Sequence, residues 1–139
     1  MSLEETERTV REYVHALQGG GDFASFFADD VLWTTMETGE QILGREAVRD
    51  FILQLHTQYF DASPELVNVT LADGVAALEG VFAGIHIAEF AGIPATRAAV
   101  RLPYAMSYDI SDGKIRALRA YFPVMALVQQ LRDAAAVHA

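Results

Sequence analysis

The chain has 139 residues, of which 52% are hydrophobic and 21% are charged, and its formal net charge is −9. This length is typical of one domain that buries about 70% of its unfolded surface, so we expect a single domain over residues 1–139. The acidic balance is unsuited to a nucleic-acid partner, and the absence of cysteine excludes disulfides, thiolate metal sites and cysteine nucleophiles.

The amino-terminal stretch MSLEETERTVREY is polar and acidic, unlike a signal or transit peptide. No run in the chain approaches the roughly 18 apolar residues of a membrane span. We therefore expect a cytoplasmic protein without a membrane partner.

Helical spacing dominates the first part of the chain. Ser2 and Glu5 form a capping box before a helix over residues 4–18, and Asp22 precedes a short helix over 23–28. Residues 31–36, VLWTTM, are rich in β-branched and aromatic side chains and predict a short strand. Apolar residues three and four apart then predict an amphipathic helix over residues 45–58.

From residue 64 the apolar period changes to two. Asp73-Gly74 and Asp112-Gly113 lie between alternating apolar runs, which is a strong hairpin signal. The pattern predicts strands over residues 66–72, 75–90, 98–110 and 114–122, followed by a final helix after Pro123. The predicted class is α+β, with three to four helices packed on a curved antiparallel sheet.

Two of the predicted strands are long, and long strands in a twisted sheet coil to give a concave face. Helices over residues 4–18 and 45–58 are placed to close that concavity. Together with the surplus of apolar residues, this arrangement predicts an internal apolar pocket.

Several segments resemble those of a known family. Residues 84–96 read GIHIAEFAGIPAT and are similar to the motif G-T-H-x-G-E-F-x-G-I-P-P-T of SnoaL-like proteins, which relate to polyketide cyclases. Residues 27–31 and 44–48 resemble F-A-D-D-V and G-R-E-A-I of the same family, and residues 112–115 resemble its D-G-K-I turn. The resemblance implies the cone-shaped nuclear-transport-factor-2-like fold, which hosts isomerases, cyclases, epoxide hydrolases, hydroxylases and non-catalytic binders.

The chain departs from the family at the positions that carry its acid/base chemistry. SnoaL-type cyclases place an Asp in the last strand, where this chain has Ala120, and a polar residue 14 positions earlier, where it has Met106. Limonene-type epoxide hydrolases share that Asp and hold water with a Tyr and an Asn, where this chain has Trp33 and Thr35. These departures leave the implied catalytic carboxylate without a counterpart.

His86 matches the family motif and is the predicted catalytic residue. Strand periodicity places it on one face with Leu78, Phe82 and two glycines, and a neutral imidazole in an apolar wall suits a general base. The alternative is a buried histidine bonded to a backbone carbonyl, since no Asp or Glu partner is identifiable.

Aromatic and apolar side chains on the predicted strand and helix faces are the expected ligand contacts. They are Trp33, Thr35, Tyr13, Tyr59, Phe82, Tyr104, Met106, Ala120 and Phe122. The alternative for each is an ordinary place in the hydrophobic core. No metal site and no cofactor are predicted.

The expected function is acid/base cyclisation, isomerisation or hydration of a hydrophobic carbonyl compound. The alternatives are a non-catalytic module that binds an apolar ligand, favoured by Ala120 and Met106, and a dimerisation module. The expected partners are a small hydrophobic ligand and a second copy bound through the outer sheet face, as is frequent in this fold.

Overall fold

A long antiparallel meander forms the centre of the fold in this computed structural model, which describes residues 2–137. Its strands are β4 (Glu65–Ala72), β5 (Val75–His86), β6 (Ala99–Ser111) and β7 (Lys114–Tyr121). Asp112 and Gly113 both have positive φ, 53° and 69°, as a tight hairpin turn requires. The four strands predicted from alternation are therefore confirmed.

β5 ends four residues earlier than the alternation predicts. The chain leaves the sheet after His86 and turns back at Ala91 and Gly92, which have φ of 52° and 79°. Phe90 and Ile93 exchange two backbone hydrogen bonds, of 3.0 and 2.9 Å, across that turn. These local bonds replace the sheet pairing that the apolar pattern suggests.

Three further strands complete a seven-stranded sheet. They are β1 (Phe27–Thr35), β2 (Glu40–Leu43) and β3 (Phe60–Ala62), and the order is β2-β1-β7-β6-β5-β3 with β4 also paired to β5. β1 runs parallel to β7, so the sheet is mixed and not wholly antiparallel as expected. No tight hairpin joins these two strands, because parallel strands need a longer connection and residues 36–113 lie between them.

Helices cover the concave side of this sheet. α1 (Leu3–Gln18) begins with the Ser2 cap, whose hydroxyl accepts from the Glu5 N–H at 3.2 Å, and α3 (Val124–Val137) ends the described chain. A 3₁₀ turn over Phe23–Phe26 replaces the short helix expected there, because Phe27 already belongs to β1.

The predicted helix over residues 45–58 is present, but its hydrogen-bonding pattern changes from α-helical to π-helical. α2 (Arg45–Leu53) is α-helical and then widens into a π-helical turn over Gln54–Tyr59. Such turns are rare and occur frequently at functional sites.

Two apolar clusters fill the space between the helices and the sheet. The first is centred on residues of α1, α2 and the inner faces of β1, β6 and β7, and includes Tyr13, Trp33 and Tyr108. The second lies beneath α3 and includes Phe60, Phe82 and Leu127. Tyr104 and Phe122 pack against both clusters and lie between them.

Among residues 2–137, no helix combines the length and the apolar character needed to cross a membrane.

Candidate functional site

A small, partly open cavity lies on the concave side of the sheet, between α1, the π-helical turn and strands β5 to β7. Its volume is about 50 Å³, enough for one to a few water molecules. The residues that line it are mostly aromatic or aliphatic: Tyr13, Leu17, Trp33, Ile52, Leu55, His56, Phe82, Tyr104, Met106, Tyr108 and Phe122. Most of the predicted ligand contacts thus face one cavity.

Three tyrosines are among the residues that line this apolar cavity. The rings of Tyr13 and Tyr108 meet edge to face with centroids 5.8 Å apart, and Tyr104 lines the same space. Within residues 2–137, no hydrogen bond ties any of the three hydroxyls to another side chain or to the backbone. Burial raises the pKa of each of these tyrosines, so the hydroxyls keep their protons at neutral pH and can donate hydrogen bonds.

Trp33 and Thr35 were expected to present an indole and a hydroxyl to a ligand. The structure joins them to each other, because the Trp33 indole N–H donates to Thr35 Oγ1 at 2.9 Å. The Trp33 ring still lines the cavity and packs on Phe51 with centroids 5.1 Å apart. Its apolar face, and not its N–H, is therefore available to a ligand.

Met106 and Ala120 are directly opposite each other on β6 and β7. Both are buried, and Met106 lines the cavity. The positions where the resemblance implies two polar residues thus form one continuous apolar patch. Acid/base chemistry in this cavity has to come from other side chains.

A wider groove of about 540 Å³ lies next to this cavity, and the two spaces share Leu17 and His56 in their linings. Its lining includes the end of α1, the π-helical turn and the segment from Asp61 to Pro64. Polar contacts come from Gln18, Thr57, Asp61 and Ser63, and the lining contains no Lys or Arg. The charge of the groove therefore favours a neutral ligand over an anionic one.

His56 lines both the cavity and the groove. It lies on the π-helical turn and stacks on Phe82 with ring centroids 6.0 Å apart at 22°. Burial lowers the pKa of His56 to about 4, so the ring is neutral at pH 7. Sequence reasoning missed this residue, although its spacing of four from Ile52 places it on the apolar stripe of that helix.

His86 is fully buried beside the turn that follows β5, and it does not line the cavity. Its Nδ1 accepts the Thr96 N–H at 3.1 Å and lies 3.0 Å from Thr96 Oγ1. An Nδ1 that accepts leaves the proton on Nε2, which has no hydrogen-bond partner in the described structure. Burial lowers the pKa of His86, which keeps the ring neutral. Its predicted catalytic role stays a prediction.

Three predicted ligand contacts, Thr35, Tyr59 and Ala120, lie outside the lining of the cavity. Tyr59 packs edge to face on Phe90, with centroids 5.4 Å apart, next to the second apolar cluster. Ala120 is fully buried in the first cluster. Of residues 2–137, no group of His, Asp and Glu side chains is arranged to hold a metal ion.

Comparisons with known proteins support the fold described above. The model of the SnoaL-like domain family matches residues 10–118. No curated protein sequence matches the chain significantly.

Solved structures of similar shape come from several bacteria. A candidate polyketide cyclase from Xanthomonas campestris pv. campestris is 20% identical, with a TM-score of 0.78 over 93% of this chain and 98% of that one. AclR, a candidate hydroxylase from Streptomyces galilaeus, is 16% identical, with a TM-score of 0.80 over 95% and 98%. A candidate ketosteroid isomerase from Kribbella flavida is 20% identical, with a TM-score of 0.68 over 87% and 79%. At these identities the likeness establishes the cone fold.

Proposed function

Because this chain belongs to the SnoaL-like domain family, we propose that it binds a hydrophobic carbonyl compound and performs acid/base chemistry on it. The reaction class is enolisation, as used in isomerisation and cyclisation. The observation that carries the proposal is the convergence of three protonated tyrosines on one apolar cavity.

Enolisation develops negative charge on the carbonyl oxygen. Hydroxyl donors that are held in place in a largely apolar cavity stabilise such charge with little reorganisation. Tyr13 and Tyr108 are buried and Tyr104 is half-buried. All three are suited to this role because their hydroxyls have no hydrogen-bond partner within residues 2–137. Trp33, Phe82, Met106 and Phe122 supply the apolar contacts.

A second candidate function is binding without catalysis. Met106 and Ala120 favour it, since they leave the family's usual acid/base positions apolar. The two functions predict the same ligand contacts and differ only in turnover.

The test uses 1-tetralone, a neutral bicyclic ketone whose α-hydrogens exchange on enolisation. Trp33, the chain's single tryptophan, lines the cavity, so its fluorescence reports binding. We expect saturable quenching by 1-tetralone and, in D₂O, protein-dependent loss of the α-proton NMR signal. Quenching without exchange would establish the binding function instead, and the lack of both would overturn the proposal.

Tyr104→Phe separates catalysis from binding. Loss of one donor to a developing oxyanion costs about 10²- to 10³-fold in rate, so exchange should slow by that order while 1-tetralone still binds. Tyr121→Phe is the matched control, because Tyr121 is 51% exposed at the end of β7 and does not line the cavity. Equal exchange rates for the two variants would contradict the role of Tyr104.

We also propose a homodimer formed through the outer face of the sheet. Neighbouring positions of β5 and β6 on this face carry Val81, Ala83, Pro103 and Ala105, while the helices pack on the opposite side. Ion pairs flank the apolar strip, with Arg119 Nη1 2.7 Å from an Asp109 carboxylate oxygen. An apolar centre with a charged rim is typical of protein interfaces.

A further inference from the structure

The ligand space on the concave side is divided into two parts. A cavity of about 50 Å³ is too small for a ligand of drug size, whose sites measure roughly 300–1,000 Å³. The adjoining groove of about 540 Å³ is large enough and, like the cavity, is partly open to solvent. A ligand that places its carbonyl among the tyrosines must therefore extend from the cavity into the groove.

Two residues, Leu17 and His56, belong to both linings and form the wall between the two spaces. Leu17 contributes only apolar surface. His56 contributes the imidazole, and no hydrogen bond to another residue within 2–137 occupies its nitrogens. Apart from the tyrosines, it is the cavity's one titratable lining side chain in the described structure.

We infer that His56 is the catalytic base, and that it removes the α-proton of a ketone whose oxygen lies among Tyr13, Tyr104 and Tyr108. This inference rests on the proposed function and assigns its missing base. The substrate class is a neutral ketone with an apolar carbonyl end, since the groove around His56 carries Asp61 and no cation.

The step is a reversible proton transfer. The lone pair of an imidazole nitrogen takes the α-proton, the C–H electrons form a carbon–carbon double bond, and the carbonyl π electrons move to oxygen. The tyrosine hydroxyls donate hydrogen bonds to that oxygen. Transfer of that proton from the imidazolium to a different carbon completes an isomerisation. Replacement of the imidazolium proton by a deuteron from D₂O, followed by its transfer to the α-carbon, completes an exchange.

The surroundings keep His56 ready to act as a base. Burial holds its pKa at about 4, so nearly every molecule carries a neutral ring at pH 7. The titratable groups that share its two spaces are Tyr13 on α1, Tyr104 and Tyr108 on β6, and Asp61 on β3. The tyrosines stay uncharged, and Asp61 is exposed in the groove, where solvent screens it.

His56→Gln removes the base and retains a polar side chain of similar size. We expect 1-tetralone exchange in D₂O to fall roughly 10²- to 10⁴-fold, while Trp33 fluorescence still shows saturable binding of 1-tetralone. The wild-type rate should also drop below about pH 5 as His56 is protonated, and the variant should lack this inflection. His15→Gln is the matched control, because His15 is exposed on α1 and lies outside both linings.

A second measurement on the unmodified protein covers the case in which His56→Gln does not fold. Bound 1-tetralone should shift the ring-proton NMR signals of His56 and leave those of His15 in place. A wild-type protein that exchanges 1-tetralone with an unmoved His56 signal, or a folded variant with wild-type rate and pH profile, would overturn the assignment of His56 alone. A wild-type protein without exchange would overturn the proposed catalytic function and this inference together.

Discussion

His86 lies where its ring joins the two sides of the loop between β5 and β6. The Thr96 N–H donates to its Nδ1, and Thr96 Oγ1 accepts the Ala98 N–H at 3.2 Å. The backbone of His86 accepts from Arg97 and donates to Ala98, each at 3.0 Å. These contacts explain the His and Thr of the 84–96 motif as parts of one hydrogen-bonded loop.

Replacing Thr96 by Val tests this loop. The change removes the hydroxyl that contacts His86 Nδ1 and the Ala98 N–H but keeps the Thr96 N–H. Loss of one to two partly buried hydrogen bonds should lower the free energy of unfolding by about 1–2 kcal/mol, as measured in urea. Thr70→Val, at an exposed position of β4, should change it by less than about 0.5 kcal/mol.

A catalytic role for His86 would require contact between its ring and a ligand. A base at this position would need its unpartnered Nε2 to reach a ligand, although the residue is fully buried outside the lining of the cavity. The same exchange assay on Thr96→Val distinguishes the roles, because a purely structural loop leaves the rate per folded molecule unchanged.

At the scale of elements, hydrogen bonds to other parts of the chain hold α3 at its start and at its middle. Glu37 accepts the N–H groups of Val124 at 2.8 Å and Met125 at 3.2 Å, so it caps the helix and places negative charge at its positive end. Gln130 donates to the Arg101 carbonyl at 3.0 Å and accepts its N–H at 3.2 Å. Gln130 thus satisfies backbone hydrogen-bonding groups of β6 at a position that β7 does not reach.

Glu37→Ala should therefore weaken α3. Loss of the cap and its charge is expected to lower the free energy of unfolding by about 1 kcal/mol, measured by thermal or urea denaturation. Glu40→Ala removes an equal charge from β2, where the side chain makes no hydrogen bond with the described residues. An equal decrease in the free energy of unfolding of the two variants would show that the change in net charge, and not the loss of the cap, lowers the stability.

At the scale of the whole molecule, the outer face of the sheet is the proposed dimer surface. Ala105 lies at its centre, opposite Glu79 on β5 and Tyr121 on β7. Ala105→Arg should fold, since Glu79 can pair with the new charge, yet it should disrupt an apolar interface. We expect analytical ultracentrifugation at micromolar concentration to show a wild-type dimer and a monomeric variant.

The same substitution on an exposed loop provides the control. Ala95→Arg adds an equal charge away from the outer face and should leave the dimer intact. A wild-type monomer at this concentration would remove the proposed assembly.

Much of the fold was predictable because its signals are local. Asp-Gly turns, strand alternation and the Ser2 cap each depend on residues a few positions apart, and all are confirmed. β2 and β3 were missed because strands of four and three residues are too short to show a period. The parallel pairing of β1 with β7 joins distant segments, and no local pattern encodes it.

The sequence by itself determined the class of fold, the family and the apolar character of the concave face. It placed Tyr13, Trp33, Tyr104 and Met106 on the correct faces, because strand and helix periods set side-chain direction. Only the tertiary structure decided which of these side chains meet in one cavity. The π-helical turn brings His56 to the wall of that cavity, and the loop after β5 takes His86 away from it. Both outcomes depend on long-range packing and on where backbone hydrogen bonds are satisfied, which no short stretch of sequence specifies.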